Sequence, residues 1–154
     1  MLYLVQHGHA KREDDDPDRT LTDDGVGDVT RVARLAVDRL GTRPRRVVHS
    51  GKTRARQTAE IWGGLVEVDP EESDALAPND DPTTWVRRLA TETGDLMLVG
   101  HLPHLARLAG SLLTGDPDRQ VVAFQQGGLV GLERTDAGWV IALLLPPSAA
   151  FSAP

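Results

Sequence analysis

The sequence contains no cysteine. That absence excludes disulfides, thiolate metal sites and a cysteine nucleophile together. Long hydrophobic runs are missing too. The longest apolar stretch near the C-terminus, Val140 to Leu145, falls far short of the roughly 20 residues that a membrane-spanning helix takes. The opening residues MLYLVQHGHA have no basic segment ahead of an apolar one, so no secretory signal is expected. Positive charge is in deficit, with 17 Lys and Arg against 23 Asp and Glu and a net charge of −6. That balance disfavours non-specific binding to nucleic acid or to an anionic membrane. At 154 residues the chain cannot build a (β/α)₈ barrel, which takes about 250. No internal repeat is present. What remains is a single cytoplasmic domain over residues 1–154, expected to be a monomer with no nucleic-acid or membrane partner, no metal and no other cofactor.

The acidity is uneven. Glu13-Asp14-Asp15-Asp16 forms one run, expected to be a solvated loop, while Arg43, Arg45, Arg46, Lys52, Arg54 and Arg56 crowd another stretch. A locally basic site in an acidic protein suits a small anion or a phosphorylated group.

The order of elements follows from the hydrophobic pattern. Leu2 to Gln6 reads as a buried strand, and residues 8–20 as polar loop. Thr22 is a helix N-cap, with Asp23 and Asp24 in the first turn. Val29, Ala33, Ala36 and Leu40 then recur at helical spacing up to Gly41. Arg46 to His49 is a second strand, Thr53 to Trp62 a helix ended by Gly63-Gly64, and Leu65 to Val68 a third strand. Residues 69–82 form an acidic loop, Thr83 to Thr93 a helix with Trp85, Val86 and Leu89 in the core, and Leu96 to Val99 a strand. Pro103 opens a helix whose apolar face is Leu105, Leu108, Ala109 and Leu112. Val121–Phe124, Leu129–Leu132 and Trp139–Leu144 complete the pattern as strands, and Pro146 to Phe151 is expected to be loosely ordered. Strands alternating with helices, then strands alone, predict an α/β layered sheet, parallel in its first part.

Chemistry-bearing residues fall at the strand ends. His7 follows the first strand, Ser50 and Arg54 the second, and His101 the one before Pro103. Sites in open α/β sheets form outside the carboxyl ends of the strands, so His7, Arg54 and His101 are expected to converge. Gly8 and Gly100 beside the histidines would permit tight turns and close approach of a ligand. The fitting chemistry is phosphoryl transfer: a neutral imidazole attacks phosphorus, an arginine fork binds the anion, and a second histidine, protonated or donating, stabilises an oxygen. His9, His49 and His104 are read as bystanders.

These residues carry a resemblance. Gln6-His7-Gly8 resembles the Arg-His-Gly signature of the histidine phosphatase superfamily, and Arg19-Thr20-Leu21-Thr22 with Gly25 resembles its R-x-L-T-x-x-G segment. Ser50 to Thr58 resembles its S-x-x-x-R-A-x-Q-T block, and Val99 to Pro103 is similar to its late strand-His-x-P block. The four occur in the family's order over nearly the whole chain. The resemblance implies a phosphoglycerate mutase-like, three-layer α/β sandwich, with a mostly parallel central sheet and helices on both faces. The short length and the loop after Leu76 most resemble the SixA-type branch of phosphohistidine phosphatases. By that resemblance His7 is the nucleophile, and Arg54, His101 and Arg19 bind phosphate. Gln6 joins the phosphate site as a departure, standing where the family has arginine and bringing an amide but no charge. The middle loop, Ala75 to Asp81, has acids but no match to the carboxylate general acid of mutase-like members.

The implied activity is removal of phosphate from phosphohistidine on a signalling protein. The alternatives are a phosphomonoesterase acting on a small phosphorylated substrate and a non-catalytic phosphate-binding module. A metal-dependent hydrolase, prompted by His7-x-His9, would leave the Arg54 block unexplained.

Overall fold

The computed structural model describes residues 1–151. One six-stranded sheet, ordered β3 (Glu71–Glu72), β2 (Arg46–His49), β4 (Leu96–Gly100), β1 (Leu2–Gln6), β5 (Leu129–Thr135) and β6 (Gly138–Leu145), divides two layers of helices. At its centre lie β1 (Leu2–Gln6) and β4 (Leu96–Gly100), parallel to each other and buried throughout. Leu2, Leu4, Leu96 and Leu98 face one core, and Tyr3, Val5, Met97 and Val99 face the other. Burial on both faces is why these strands read as continuous apolar runs rather than alternating ones. β2 (Arg46–His49) runs parallel to β4. β5 (Leu129–Thr135) and β6 (Gly138–Leu145) add an antiparallel hairpin on the far side of β1. The expected three-layer, mostly parallel α/β architecture is therefore present.

α1 (Asp23–Leu40) and α2 (Thr53–Val66) cover one face. α3 (Thr83–Thr91) and α4 (His104–Thr114) cover the other. The Thr22 hydroxyl caps α1 by accepting from the Gly25 N–H at 3.0 Å, and Gly41 closes the helix at φ +67. Trp85 and Leu89 of α3 are buried as expected, with Val86 partly buried against them. α3 stops two residues short of the expected Thr93, because Glu92 is extended.

Three local expectations are corrected. Leu65–Val68 is not a strand: α2 runs through Gly63-Gly64 to Val66, and Glu67 turns the chain at φ +60. Gly63 packs rather than stops, since a Cβ there would lie 2.5 Å from the Val68 carbonyl oxygen. The third strand is instead β3 (Glu71–Glu72), paired with Val48 and His49. Val121–Phe124 forms no strand; Val122 and Phe124 pack onto the α3/α4 core as loop. The tail is also ordered, for α5 (Pro147–Ala150) packs against α1, and the Arg31 guanidinium stacks 4.0 Å over the Phe151 ring.

Gly25 fixes how α1 meets the end of β1. A Cβ at that position would lie 2.2 Å from the His9 carbonyl oxygen and 2.9 Å from its nitrogen. Backbone cannot yield as a flexible side chain does, so Gly25→Ala is expected to destabilise the fold by about 1–3 kcal/mol. A lower denaturation midpoint at unchanged slope would register it.

Candidate active site

β1 and β4 end side by side, with Gln6 in register with Gly100. The next residue of each strand is a histidine, and the two rings lie 5.1 Å apart between centroids. His7 Nδ1 lies 2.7 Å from the Gly8 carbonyl oxygen. A carbonyl only accepts, so the proton sits on Nδ1 and the Nε2 lone pair is free. Arg54 Nε donates to that Nε2 at 3.3 Å. Burial above all, with the charges of Arg54, Arg19 and His9 adding to it against the Gly8 hydrogen bond, pushes the His7 pKa from 6.5 down to about 4. At neutral pH the ring is therefore an uncharged base.

His101 Nε2 lies 2.6 Å from the Ser50 hydroxyl, and its Nδ1 is buried without a partner. An orphaned acceptor costs less than an orphaned N–H. The proton therefore sits on Nε2, bonded to Ser50. Burial first, then His7, Arg54, Lys52 and His104, push the His101 pKa down to about 3. In the free protein this ring is therefore neutral.

Five residues of the Ser50–Thr58 block have a task in this arrangement. Ser50 meets His101 and Arg54 meets His7. Ala55 is buried under α1, and the Gln57 side-chain Oε1 accepts from the Leu21 N–H at 2.8 Å. The Thr58 hydroxyl accepts from the Gly8 N–H at 3.0 Å and donates to the Arg54 carbonyl at 2.8 Å. α2 thus pins the His7-Gly8 segment and the 8–21 loop to one helix. Ser50 was visible in the sequence as a strand-end residue, Gln57 and Thr58 only as motif letters. Gly8 does sit in a tight place, 2.8 Å from the Val29 side chain were a Cβ added. A Cβ at Gly100 would make only ordinary contacts with the protein, at 3.5 Å and beyond.

Arg19 is half-buried at φ +51, its Nε donating to the Lys11 carbonyl at 3.2 Å. With Lys52, Thr53 and Arg54 it lines a polar cleft of about 400 Å³ at the start of α2. That start has no side-chain cap and no acid in its first turn, its Ala55 N–H bonds the Lys52 carbonyl at 2.9 Å, and Glu13 and Asp18 in the cleft lining oppose its positive charge. The acidic run contributes more than solvation: Asp16 accepts from the Asp18 and Thr20 backbone and from the Thr20 hydroxyl, shaping the loop that carries Arg19. Gln6 is buried, and its Oε1 has no partner.

The other histidines lie outside this constellation. His9 bonds the Thr22 hydroxyl at 3.0 Å, and His49 accepts from the Gly51 N–H at 3.0 Å. His104 is fully buried at the start of α4, with neither ring nitrogen partnered. Among the described residues no three His, Cys, Asp or Glu side chains are grouped to hold a metal ion, and no helix is long and apolar enough to cross a membrane.

No protein-family profile and no curated protein matches the chain. Solved structures do. A protein assigned as the phosphohistidine phosphatase SixA of Agrobacterium tumefaciens is 27% identical with a TM-score of 0.74, the match covering 95% of this chain and 97% of that one. The protein histidine phosphatase SixA in complex with tungstate is 21% identical at a TM-score of 0.81, over 96% and 97% of the two chains. A protein assigned as an alpha-ribazole-5'-P phosphatase from Escherichia coli is 14% identical at 0.76, over 95% and 96%. The chain has the phosphoglycerate mutase-like fold of the histidine phosphatase superfamily, and its structural neighbours include SixA phosphohistidine phosphatases alongside other phosphatases of that superfamily.

Proposed function

We propose that the chain is a monomeric, cytoplasmic phosphatase that works through a covalent phosphohistidine at His7 and takes its phosphoryl group from phosphohistidine on a signalling protein. The observation that carries this reading is the locked ring of His7. Its Nδ1–H is held by the Gly8 carbonyl at 2.7 Å, and its free Nε2 faces Arg54 at 3.3 Å. In the first step Nε2 attacks phosphorus, and the bond from phosphorus to the leaving group breaks with its electron pair going to that group. In the second step water attacks the phosphorus of phospho-His7, the P–Nε2 bond breaks with its electron pair returning to Nε2, and inorganic phosphate leaves carrying the water's oxygen and protons.

The remaining groups serve the charge that develops on the phosphoryl oxygens. Arg54 offers its guanidinium fork at the start of α2, and Arg19 borders the same cleft. His101 donates from Nε2, exchanging its bond to Ser50 for one to a phosphoryl oxygen. A bound dianion also favours the imidazolium form, opposing the burial that holds this ring neutral in the free protein. The similarity to SixA phosphatases supports the phosphohistidine donor. The alpha-ribazole-5'-P phosphatase neighbour, with the open polar cleft, supports a small phosphomonoester as the second reading.

The direct test is intact-mass measurement after mixing with a phosphohistidine donor, where an acid-labile gain of one phosphoryl group is expected. Arg54→Ala and His101→Ala should each slow turnover by about 10²–10³-fold, the usual cost of removing one donor aimed at developing charge. Unchanged initial rates in variants with wild-type circular dichroism would remove those residues from the site. Ser50→Ala should cost less, about tenfold, because Ser50 acts through His101 by fixing its orientation.

A further inference from the structure

The two sides of the histidine pair differ in kind. On the α2 side the lining is charged, with Arg19, Lys52 and Arg54 in the polar cleft beside Glu13 and Asp18. On the α4 side it is nearly uncharged. From Gln120 to Leu132 no residue carries a charge, in a chain where 26% do. That segment returns from α4 and is tied to the site: the Gly127 N–H donates to the Gln6 carbonyl at 2.9 Å and to the His7 carbonyl at 3.2 Å. Two apolar hollows adjoin it. One, of about 310 Å³, is walled by Leu102, Pro103, Ala106 and Pro117, and its charged pair, Arg107 and Asp118, face each other at 3.8 Å. Leu102 and Pro103 are the two residues that follow His101. The other, of about 170 Å³, is walled by Ala123, Phe124, Val130 and Leu144. Leu102 and Leu144, one in each hollow, are 36% and 56% exposed, and Val121, in the chain between the hollows, is 38% exposed. A single exposed apolar side chain is ordinary on any protein. Several of them on an uncharged segment that starts and ends at the two site histidines mark a contact surface.

What covers that surface follows from the depth of the site. His7 and His101 are both buried. A histidine ring stands only a single methylene off its own backbone. A phosphohistidine held in a protein therefore reaches His7 only when the donor's surface around it comes down onto the rim. A small phosphoester enters without that contact. The cations of the cleft suit phosphoryl oxygens. The uncharged wall suits apolar side chains and disfavours charged ones, which would lose their water there without a partner. We infer that the wall on the α4 side is the docking surface for the donor protein, holding apolar side chains that flank its phosphohistidine. The inference rests on the proposed phosphatase reading and names the contact by which a protein donor is told from a small phosphoester.

The test compares two synthetic phosphohistidine peptides of equal length, one with leucine and valine around the phosphohistidine and one with glycine and serine, alongside an aryl phosphate. The wild-type protein should use the apolar peptide with a kcat/KM about tenfold higher. The gain should lie in KM, because docking away from the phosphorus acts alike on ground and transition states. Val121→Glu and Ala106→Glu each put a charge on the wall. Each should raise KM for the apolar peptide about tenfold while leaving kcat, and the aryl phosphate rate, within about twofold. Equal kcat/KM for the two peptides in the wild type overturns the inference, and that comparison stands whether or not the variants fold. A preference that survives both glutamate variants overturns it too, as does an equal loss on the aryl phosphate, which would place the damage in the chemistry. A dimer in sedimentation that Val121→Glu dissolves would assign the wall to a second copy of the chain instead. Failure of the phosphatase reading would look different: no phosphoenzyme, and no turnover of any of the three donors by the wild type.

Discussion

His7→Ala is expected to abolish turnover, by at least about 10⁴-fold, and to remove the acid-labile phosphoenzyme altogether. No other side chain can substitute. Among the described residues His101 is the imidazole beside this ring, and its Nε2 is engaged by Ser50 while its Nδ1 is buried. The chain has no cysteine to offer an alternative nucleophile. The variant should fold, because His7 lies at the end of β1, outside both hydrophobic cores, and the Gly8 N–H bond to Thr58 survives the change. Wild-type-like turnover in a folded His7→Ala protein would end the covalent mechanism. The pH dependence offers a second reading of the same residue. Only the neutral ring attacks, and burial holds its pKa at about 4. The fall in kcat/KM due to His7 should therefore come as pH drops through about 4, leaving this group unprotonated from pH 5 to 8. Direct titration of the wild-type His7 ring by NMR should show the same low pKa, and a midpoint of about 6.5 would mean that the free site is far wetter than its burial implies.

How much of this was legible in the sequence depends on the range of the interaction. β1 and β4 were readable because burial on both faces writes an unbroken apolar run, and α1 because Thr22, Asp23, Asp24 and Gly41 mark its ends locally. His7, Arg54 and His101 were readable because each follows a strand, and strand ends of a parallel sheet converge. Leu65–Val68 was not: a four-residue apolar run fits a last helical turn as well as a strand, and what decides is Gly63 lying against the Val68 carbonyl. The tasks of Ser50, Gln57 and Thr58 were hidden for the same reason. Each acts on a partner 36 to 51 residues away, and no local pattern records the pairing. Gly25 was in plain view as a motif letter, yet its cause, the His9 backbone 2.2 Å from where a Cβ would be, exists only after α1 docks.

The rate should depend steeply on the leaving group, because the middle loop supplies no proton donor. Its two acids near the site side of α3 are already engaged. Asp80 accepts from the Ala77 N–H at 2.8 Å and closes the turn there. Asp81 accepts from the Thr83 N–H at 2.9 Å, and that backbone bond before any other cause holds its carboxyl below the usual range, so it is an ionised cap and not an acid. A sugar phosphate, which must leave as a strongly basic alkoxide, gets no help. A phosphohistidine leaves as neutral imidazole once its own ring is protonated, which happens near pH ~6.5 without any group from the protein. An aryl phosphate, with a weakly basic phenoxide to expel, should fall between. General-acid assistance is typically worth about 10²–10⁴-fold, so its absence should open a gap of that size between the phosphohistidine and the sugar phosphate. Initial rates on the three donors, at one pH and at concentrations below saturation, read the gap directly. Equal rates would mean that an acid reaches the site after all. The first residue to substitute would then be Glu72, whose carboxylate packs against Gly51 beside Ser50. Loss of the sugar-phosphate rate alone in Glu72→Gln would move the substrate assignment to small phosphoesters.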